Sequence, residues 1–229
     1  MKKYNKVIVA LDGDNLNKIK KIVSLLKSEV YAFKIGYEFF FNYGIDGYNQ
    51  IKKISPKIFL DLKLHDIPNT VKNGIKAIDK LRPLLTTIHI SGGDEMMEAS
   101  IINRKHTKIL GVTILTSLDS KQTKKYYNES NVKFLVKKFV KQAKKFNLDG
   151  IVCSPKEIKY IRKEVGEKFI IVTPGIRISK LKNNNDDQKR VLNPVEAIKL
   201  GANLLVIGRP ITRSKKPLET LKKINKSLN

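Results

Sequence analysis

Short apolar runs alternate with longer amphipathic stretches along the whole chain. Runs rich in Ile, Val and Leu occupy Lys6–Asp12, Ala32–Gly36, Lys57–Lys63, Thr86–Ser91, Lys108–Leu115, Gly150–Ser154, Phe169–Pro174 and Asn203–Gly208. They are short and continuous, as expected of strands in a parallel sheet covered on both faces. Between them apolar residues recur at helical spacing, for example at Leu16, Ile19, Ile22, Val23 and Leu26. Such alternation implies right-handed βα units, and eight of them close most economically into a barrel. The pattern therefore predicts an α/β fold, a (β/α)8 TIM barrel in which residues 1–229 form one domain. An open doubly wound sheet is the alternative. The turn after the first run, Leu11-Asp12-Gly13-Asp14, lacks the Gly-x-Gly-x-x-Gly pattern that would favour it.

Two connections are too long for simple loops: Thr116 to about Asn131, and Arg177 to Asn193 with its polar tract Lys182-Asn183-Asn184-Asn185-Asp186-Asp187. Both follow strands, which places them on the C-terminal face, where the active sites of such barrels gather. At least one is expected to act as a lid or a phosphate gripper.

Composition narrows the classes. A hydrophobic fraction of 41% supports a sizeable core, and no stretch approaches the roughly 20 apolar residues of a membrane span. Val7–Leu11 runs straight into Asp12, so the basic start of the chain reads as a lead into the first strand rather than a signal peptide. A single cysteine, Cys153, excludes an intramolecular disulfide and suggests a reducing cytoplasm. The net charge of +25 raises nucleic-acid or anionic-membrane binding. Yet the lysines spread along the chain on outer helix positions such as Lys18, Lys20, Lys21 and Lys27, with no aromatic-interleaved basic stripe and no zinc-finger spacing. The expectation is a solvated basic surface with no nucleic-acid or membrane partner, and steering of an anionic substrate as a side benefit.

The chemistry concentrates in Asp61-Leu62-Lys63-Leu64-His65-Asp66-Ile67-Pro68-Asn69-Thr70. On a strand, residues i and i+2 share a face, so Asp61 and Lys63 project side by side. Asp66 falls in the strand-to-helix loop, and Pro68 suits the first turn of a helix. An Asp-x-Lys at a strand end is ordinarily a surface ion pair; here other strand ends are polar as well. Asp12, Lys34, Asp61 and Lys63 bring alternating charges to the barrel mouth, where they can satisfy one another as a network. Gly208-Arg209 after the eighth strand and Arg177 after the seventh fit a phosphate site, with Gln188 as a further amide donor. His65 and His106 have no partner at metal-ligand spacing, and three histidines in all argue against a histidine-rich zinc site. His89 reads as packed and hydrogen-bonded, Met96 and Met97 as helix packing, and Ser91-Gly92-Gly93 as a turn.

Seven segments together resemble the orotidine 5′-phosphate decarboxylase family, in its shorter bacterial-type form. They are Val9–Asp12, Phe33–Gly36, Phe59–Thr70, Val112–Ser117, Val172–Arg177, Asp187-Gln188 with Arg190-Val191, and Val206–Thr212. The resemblance spans essentially the whole chain and implies a cofactor-free cytoplasmic homodimer that converts orotidine 5′-phosphate to UMP and CO2, with no metal. It makes Lys63 the proton donor to C6 of the pyrimidine. It puts Lys34, Asp61, Lys63 and Asp66 in one charge network, with Asp66 supplied by the neighbouring subunit. It gives Asp12 and Thr70 to the ribose (Thr70 from across the interface), Ile67 to the base and Thr116 to the pyrimidine edge. Arg177, Gln188, Gly208 and Arg209 hold the 5′-phosphate. Two rival readings stay open: a magnesium-dependent sugar-phosphate enzyme sharing the Asp-x-Lys-x-x-Asp pattern, and a basic nucleic-acid-binding barrel.

Overall fold

A computed structural model describes residues 5–102, 104–176 and 192–228. Among these, eight strands form a closed barrel in chain order. They are β1 Val7–Leu11, β2 Ala32–Ile35, β3 Ile58–Leu64, β4 Leu85–His89, β5 Lys108–Val112, β6 Gly150–Val152, β7 Ile170–Thr173 and β8 Leu204–Ile207. Neighbours pair in parallel throughout, and β8 closes on β1 through Val7–Leu205 and Ile8–Val206. All eight overlap the apolar runs of the sequence, so the barrel expectation holds and the open sheet is excluded; the fourth strand starts one residue earlier than expected and stops at His89, and the fifth stops at Val112.

The outer layer comprises α1 Leu16–Leu26, α2 Tyr37–Ile54, α3 Pro68–Leu81, α4 Asp94–Ile102, α5 Ser120–Tyr127, α6 Val132–Lys145, α7 Ile158–Val165, α8 Pro194–Lys199, α9 Arg209–Thr212 and α10 Pro217–Ser227. Local sequence starts several of them. Asn15, Asp119 and Asn131 each accept a backbone N–H of the first turn of α1, α5 and α6. Pro68 opens α3 as expected.

Two features are not visible in the sequence pattern. The connection from Thr116 to Asn131 is largely helical: Asp119 caps α5, and Asn128 ends it with φ +53. α2 is broken at Gly44, whose φ of +55 and ψ of −150 only glycine adopts without strain. No helix among the described residues is long and apolar enough to cross a membrane.

Strand alternation explains how one chain makes both a dry core and a charged mouth. Val7, Val9 and Leu11 face the helices, packing in the same cluster as Ile19, Val23 and Leu26. Ile8, Ala32, Phe59 and Leu85 belong to a second cluster that plugs the barrel interior. Two residues further along each strand, on the same inward face, stand Ala10, Lys34, Asp61 and Thr87. One more step reaches Asp12, Gly36, Lys63 and His89. The apolar plug excludes water from below, so the polar ring sits on a low-dielectric floor.

A structural carboxylate that the sequence does not reveal lies at the end of α3. Buried Asp79 accepts the backbone N–H groups of Lys105, His106 and Thr107 at 3.1, 3.0 and 2.9 Å, fastening the segment that leads into β5. Burial alone raises its pKa, but the three amides outweigh it and hold the carboxyl below the usual carboxylate range. Asp79→Ala is expected to cost about 2 kcal/mol in urea unfolding, because three backbone donors lose their acceptor, the Thr107 N–H in a buried position and the other two part-buried. A depressed folded-state pKa means this contribution is full above the ordinary carboxylate range and is lost as pH falls through the folded-state value. The difference between wild type and Asp79→Ala should therefore shrink on acidification.

Candidate active site

The site begins with an irregularity in β3. Leu60 pairs with Thr86, but the next paired residue, Leu64, meets Ile88, so four steps on β3 span two on β4. The extra length is taken up at Asp61-Leu62-Lys63, and Lys63 has φ +44. A lysine in the left-handed region is strained by about 1–2 kcal/mol and needs its surroundings to hold it. Thr87 supplies part of that hold. Its Oγ1 accepts the Lys63 backbone N–H at 2.9 Å and donates to Asp61 Oδ1 at 2.9 Å. Asp61 and Lys63 therefore do project together, through a bulge rather than plain alternation.

The Lys63 ammonium bonds Asp61 Oδ2 at 2.9 Å, and Lys34 Nζ stands 3.8 Å from the same oxygen. Lys34 also reaches Asp12 Oδ1 at 4.0 Å, which links β1, β2 and β3. The Asp61 side chain is 9% exposed. Burial pushes its pKa up, but the charges of Lys34 and Lys63 and the bonds from Lys63 and Thr87 outweigh this and leave it lowered. Asp61 is thus an ionised carboxylate between two ammoniums, and it cannot act as an acid near neutrality. Gly36 leaves room for this arrangement, since a Cβ there would lie 2.9 Å from Lys34 Nζ.

His89 ends β4 on the same inward face as Thr87. Its ring lies 5.2 Å from that of His65, tilted by 31°. Burial, then the nearby His65 and Lys63, lower its pKa from 6.5 to about 4 against the opposing pull of Asp61. His89 is expected to be neutral above about pH 5, with its ring-proton NMR titration midpoint near 4. Its pKa falls on folding, so the associated stability is present above pH 6.5 and is lost between 6.5 and about 4. A midpoint at 6.5 would contradict this placement. No hydrogen bond of His89 accompanies the ring contact among the described residues, so the expected packing is present in part only.

The remaining sequence candidates occupy one end of the barrel. Gly208 sits beside β1: a Cβ there would be 3.3 Å from Ala10 Cβ and 3.6 Å from Asp12 Oδ2. Arg209 opens α9 directly after it. Thr116 is half-buried in the turn after β5. Asp66, Ile67 and Thr70 are exposed, Ile67 to 66%. Asp66 Oδ1 accepts the N–H of Ile67 at 2.7 Å, and no described lysine lies within ion-pair reach of it. Asp66 does share a cavity of about 480 Å³ with Lys63, Tyr37, His65, Thr70 and His89. Arg177 and Gln188 lie outside the described residues. The segment that carries them is flanked by a parallel bridge between Ile176 and Leu192. Among the described residues no three His, Cys, Asp or Glu side chains are grouped to hold a metal ion.

Thr87 and His89 are the residues that sequence reasoning undervalued. Period-2 counting along Leu85-Thr86-Thr87-Ile88-His89 from the apolar plug would have aimed both at the mouth.

Fold and mouth together define a (β/α)8-barrel protein with a partly buried lysine–carboxylate cluster at the C-terminal ends of its strands. Residues 5–224 match the model of the orotidine 5′-phosphate decarboxylase / HUMPS family, and the chain belongs to that family. A relative from Wolbachia sp. subsp. Brugia malayi (strain TRS), described as orotidine 5′-phosphate decarboxylase, is 43% identical over 98% of this chain and 100% of its own. One of the same description from Wigglesworthia glossinidia brevipalpis is 44% identical, covering 99% of each chain. The crystal structure of orotidine 5′-phosphate decarboxylase from Lactobacillus acidophilus superposes with a TM-score of 0.82 at 36% identity, over 98% of this chain and 99% of that one.

Proposed function

We propose that the chain decarboxylates orotidine 5′-phosphate to UMP and CO2, the last step of de novo UMP synthesis, as a cytoplasmic homodimer without a cofactor. The observation that carries this reading is the Lys63–Asp61–Lys34 cluster, with 2.9 and 3.8 Å contacts on one buried carboxylate oxygen. Loss of CO2 from C6 leaves an electron pair in an sp2 orbital outside the ring π system, so no enolate delocalises it. Stabilisation then has to be electrostatic. The Lys63 ammonium stabilises the developing carbanion and then donates its proton to C6, while Asp61 orients that ammonium.

Asp12 and Thr70 hold the ribose, Ile67 contacts the base and Thr116 bonds the pyrimidine edge. Gly208 and Arg209, with Arg177 and Gln188, bind the 5′-phosphate. That group lies far from the scissile bond, so its binding energy serves to organise the site.

The second copy has physical support in one exposed face. Tyr37 and Phe41 stand one turn apart on α2 with ring centroids 5.7 Å apart and are 49% and 79% exposed; Ile45, just past the break at Gly44, is 53% exposed and Ile67 66%. Covering that face with a second copy buries apolar area. It also carries Asp66 and Thr70, exposed in one chain, into the neighbouring site.

The test is the fall in orotidine 5′-phosphate absorbance on adding purified protein, with and without EDTA. Conversion to UMP at equal rates in both is expected. Conversion abolished by EDTA, or turnover only of sugar phosphates with Mg2+, would favour the magnesium-dependent branch instead.

A further inference from the structure

Lys63 has to be held in a backbone conformation it would not choose, and β4 provides two points of attachment. The first, Thr87, grips the Lys63 N–H at 2.9 Å. The second comes two residues later on the same face of β4, where the His89 ring meets the His65 ring at 5.2 Å. His65 lies two residues past Lys63, so the strained position is bracketed on both sides. Gly92 also packs close to His65: a Cβ there would lie 3.2 Å from His65 Cδ2 and would collide with Met96 Sδ. His65 is exposed and His89 half-buried, and neither belongs to the two apolar core clusters. Both rings line the cavity that also holds Lys63.

We infer that the His65–His89 ring pair is a positioning device for Lys63: packed ring against ring on the β4 template, it fixes the end of the β3 bulge and so keeps the Lys63 ammonium on Asp61. The pair touches no reacting atom in this scheme. It acts through the geometry of Lys63, and a displacement of about 1 Å at such a group costs on the order of 100-fold in rate. The inference rests on the proposed decarboxylase reading only for its kinetic readout. Its structural readout is independent of that reading.

The test compares His89→Phe, which keeps a flat ring to stack on His65, with His89→Leu, which keeps apolar volume but no ring. Both are made in the full chain and checked for folding by thermal melting. With orotidine 5′-phosphate as substrate, His89→Phe is expected to keep kcat within about threefold. His89→Leu should lose about 30-fold or more in kcat, with KM changed less than about threefold. Equal kcat for the two variants, or losses that appear in KM alone, would overturn the inference.

A crystal structure of His89→Leu gives the second readout whether or not the substrate is turned over. Lys63 leaving the positive-φ region and separating from Asp61 supports the device. Lys63 unchanged at both points overturns it. A wild type inactive on orotidine 5′-phosphate would count against the substrate reading, and the Lys63 geometry in the variant would still decide this one.

Discussion

Replacing Lys63 with alanine is expected to lower turnover of orotidine 5′-phosphate by at least about 10⁴-fold while leaving UMP binding within about tenfold. On the proposed mechanism the loss combines two roles, proton donor and fixed positive charge, each worth at least about 10²-fold. The variant also leaves Asp61 with Lys34 at 3.8 Å as its remaining cation. Removing one partner of a buried ion pair destabilises a fold strongly, by about 3–5 kcal/mol where burial is complete. Lys63 itself is partly open, with its side chain 27% exposed, so the stability loss should fall well below that limit. Turnover by stopped assay and UMP affinity by calorimetry separate the two effects. Near-normal turnover would remove Lys63 from the chemistry.

The second large effect concerns Asp66. In one chain its carboxylate bonds the adjacent Ile67 N–H and faces the cavity beside Lys63 without a lysine partner among the described residues. If the proposed dimer brings Asp66 into the neighbouring site, Asp66→Ala alone should be nearly inactive, because each site then loses that carboxylate. Mixing is the informative experiment. In the proposed dimer, co-expressed Lys63→Ala and Asp66→Ala chains would form heterodimers in which one site carries both defects and the other carries neither. Random pairing makes half the dimers mixed, so about a quarter of wild-type activity should return when subunits pair freely. A mixture as inactive as its components would mean that Asp66 serves its own chain's site.

Much of the barrel was legible because parallel strands buried on both faces are continuous apolar runs, and chain order alone fixes their neighbours. Asp61 and Lys63 were legible as a same-face pair. Their actual geometry was not, since the bulge between Leu60 and Leu64 depends on pairing with β4, a long-range property. α5 was legible in retrospect: Asp119 is a cap residue ahead of a helical stretch, hidden by the polarity of Ser120–Tyr127. Asp79 was not, because a carboxylate on a helix looks solvated until the amides of Lys105, His106 and Thr107 are folded onto it. The exposure of Ile67 and Phe41 likewise depends on which faces the helices turn outward. The even spread of lysines hid nothing about the site, since the two that matter, Lys34 and Lys63, are set apart by following apolar plug residues at a spacing of two and four.

The most direct test of the central claim is NMR of orotidine 5′-phosphate, ¹³C-labelled at the carboxylate, incubated with the wild-type chain in D2O. Stoichiometric release of labelled CO2 and bicarbonate is expected, with formation of UMP carrying deuterium at C6, and no such conversion by Lys63→Ala. Intact substrate after prolonged incubation with folded wild-type protein, or equal conversion by Lys63→Ala, would contradict it.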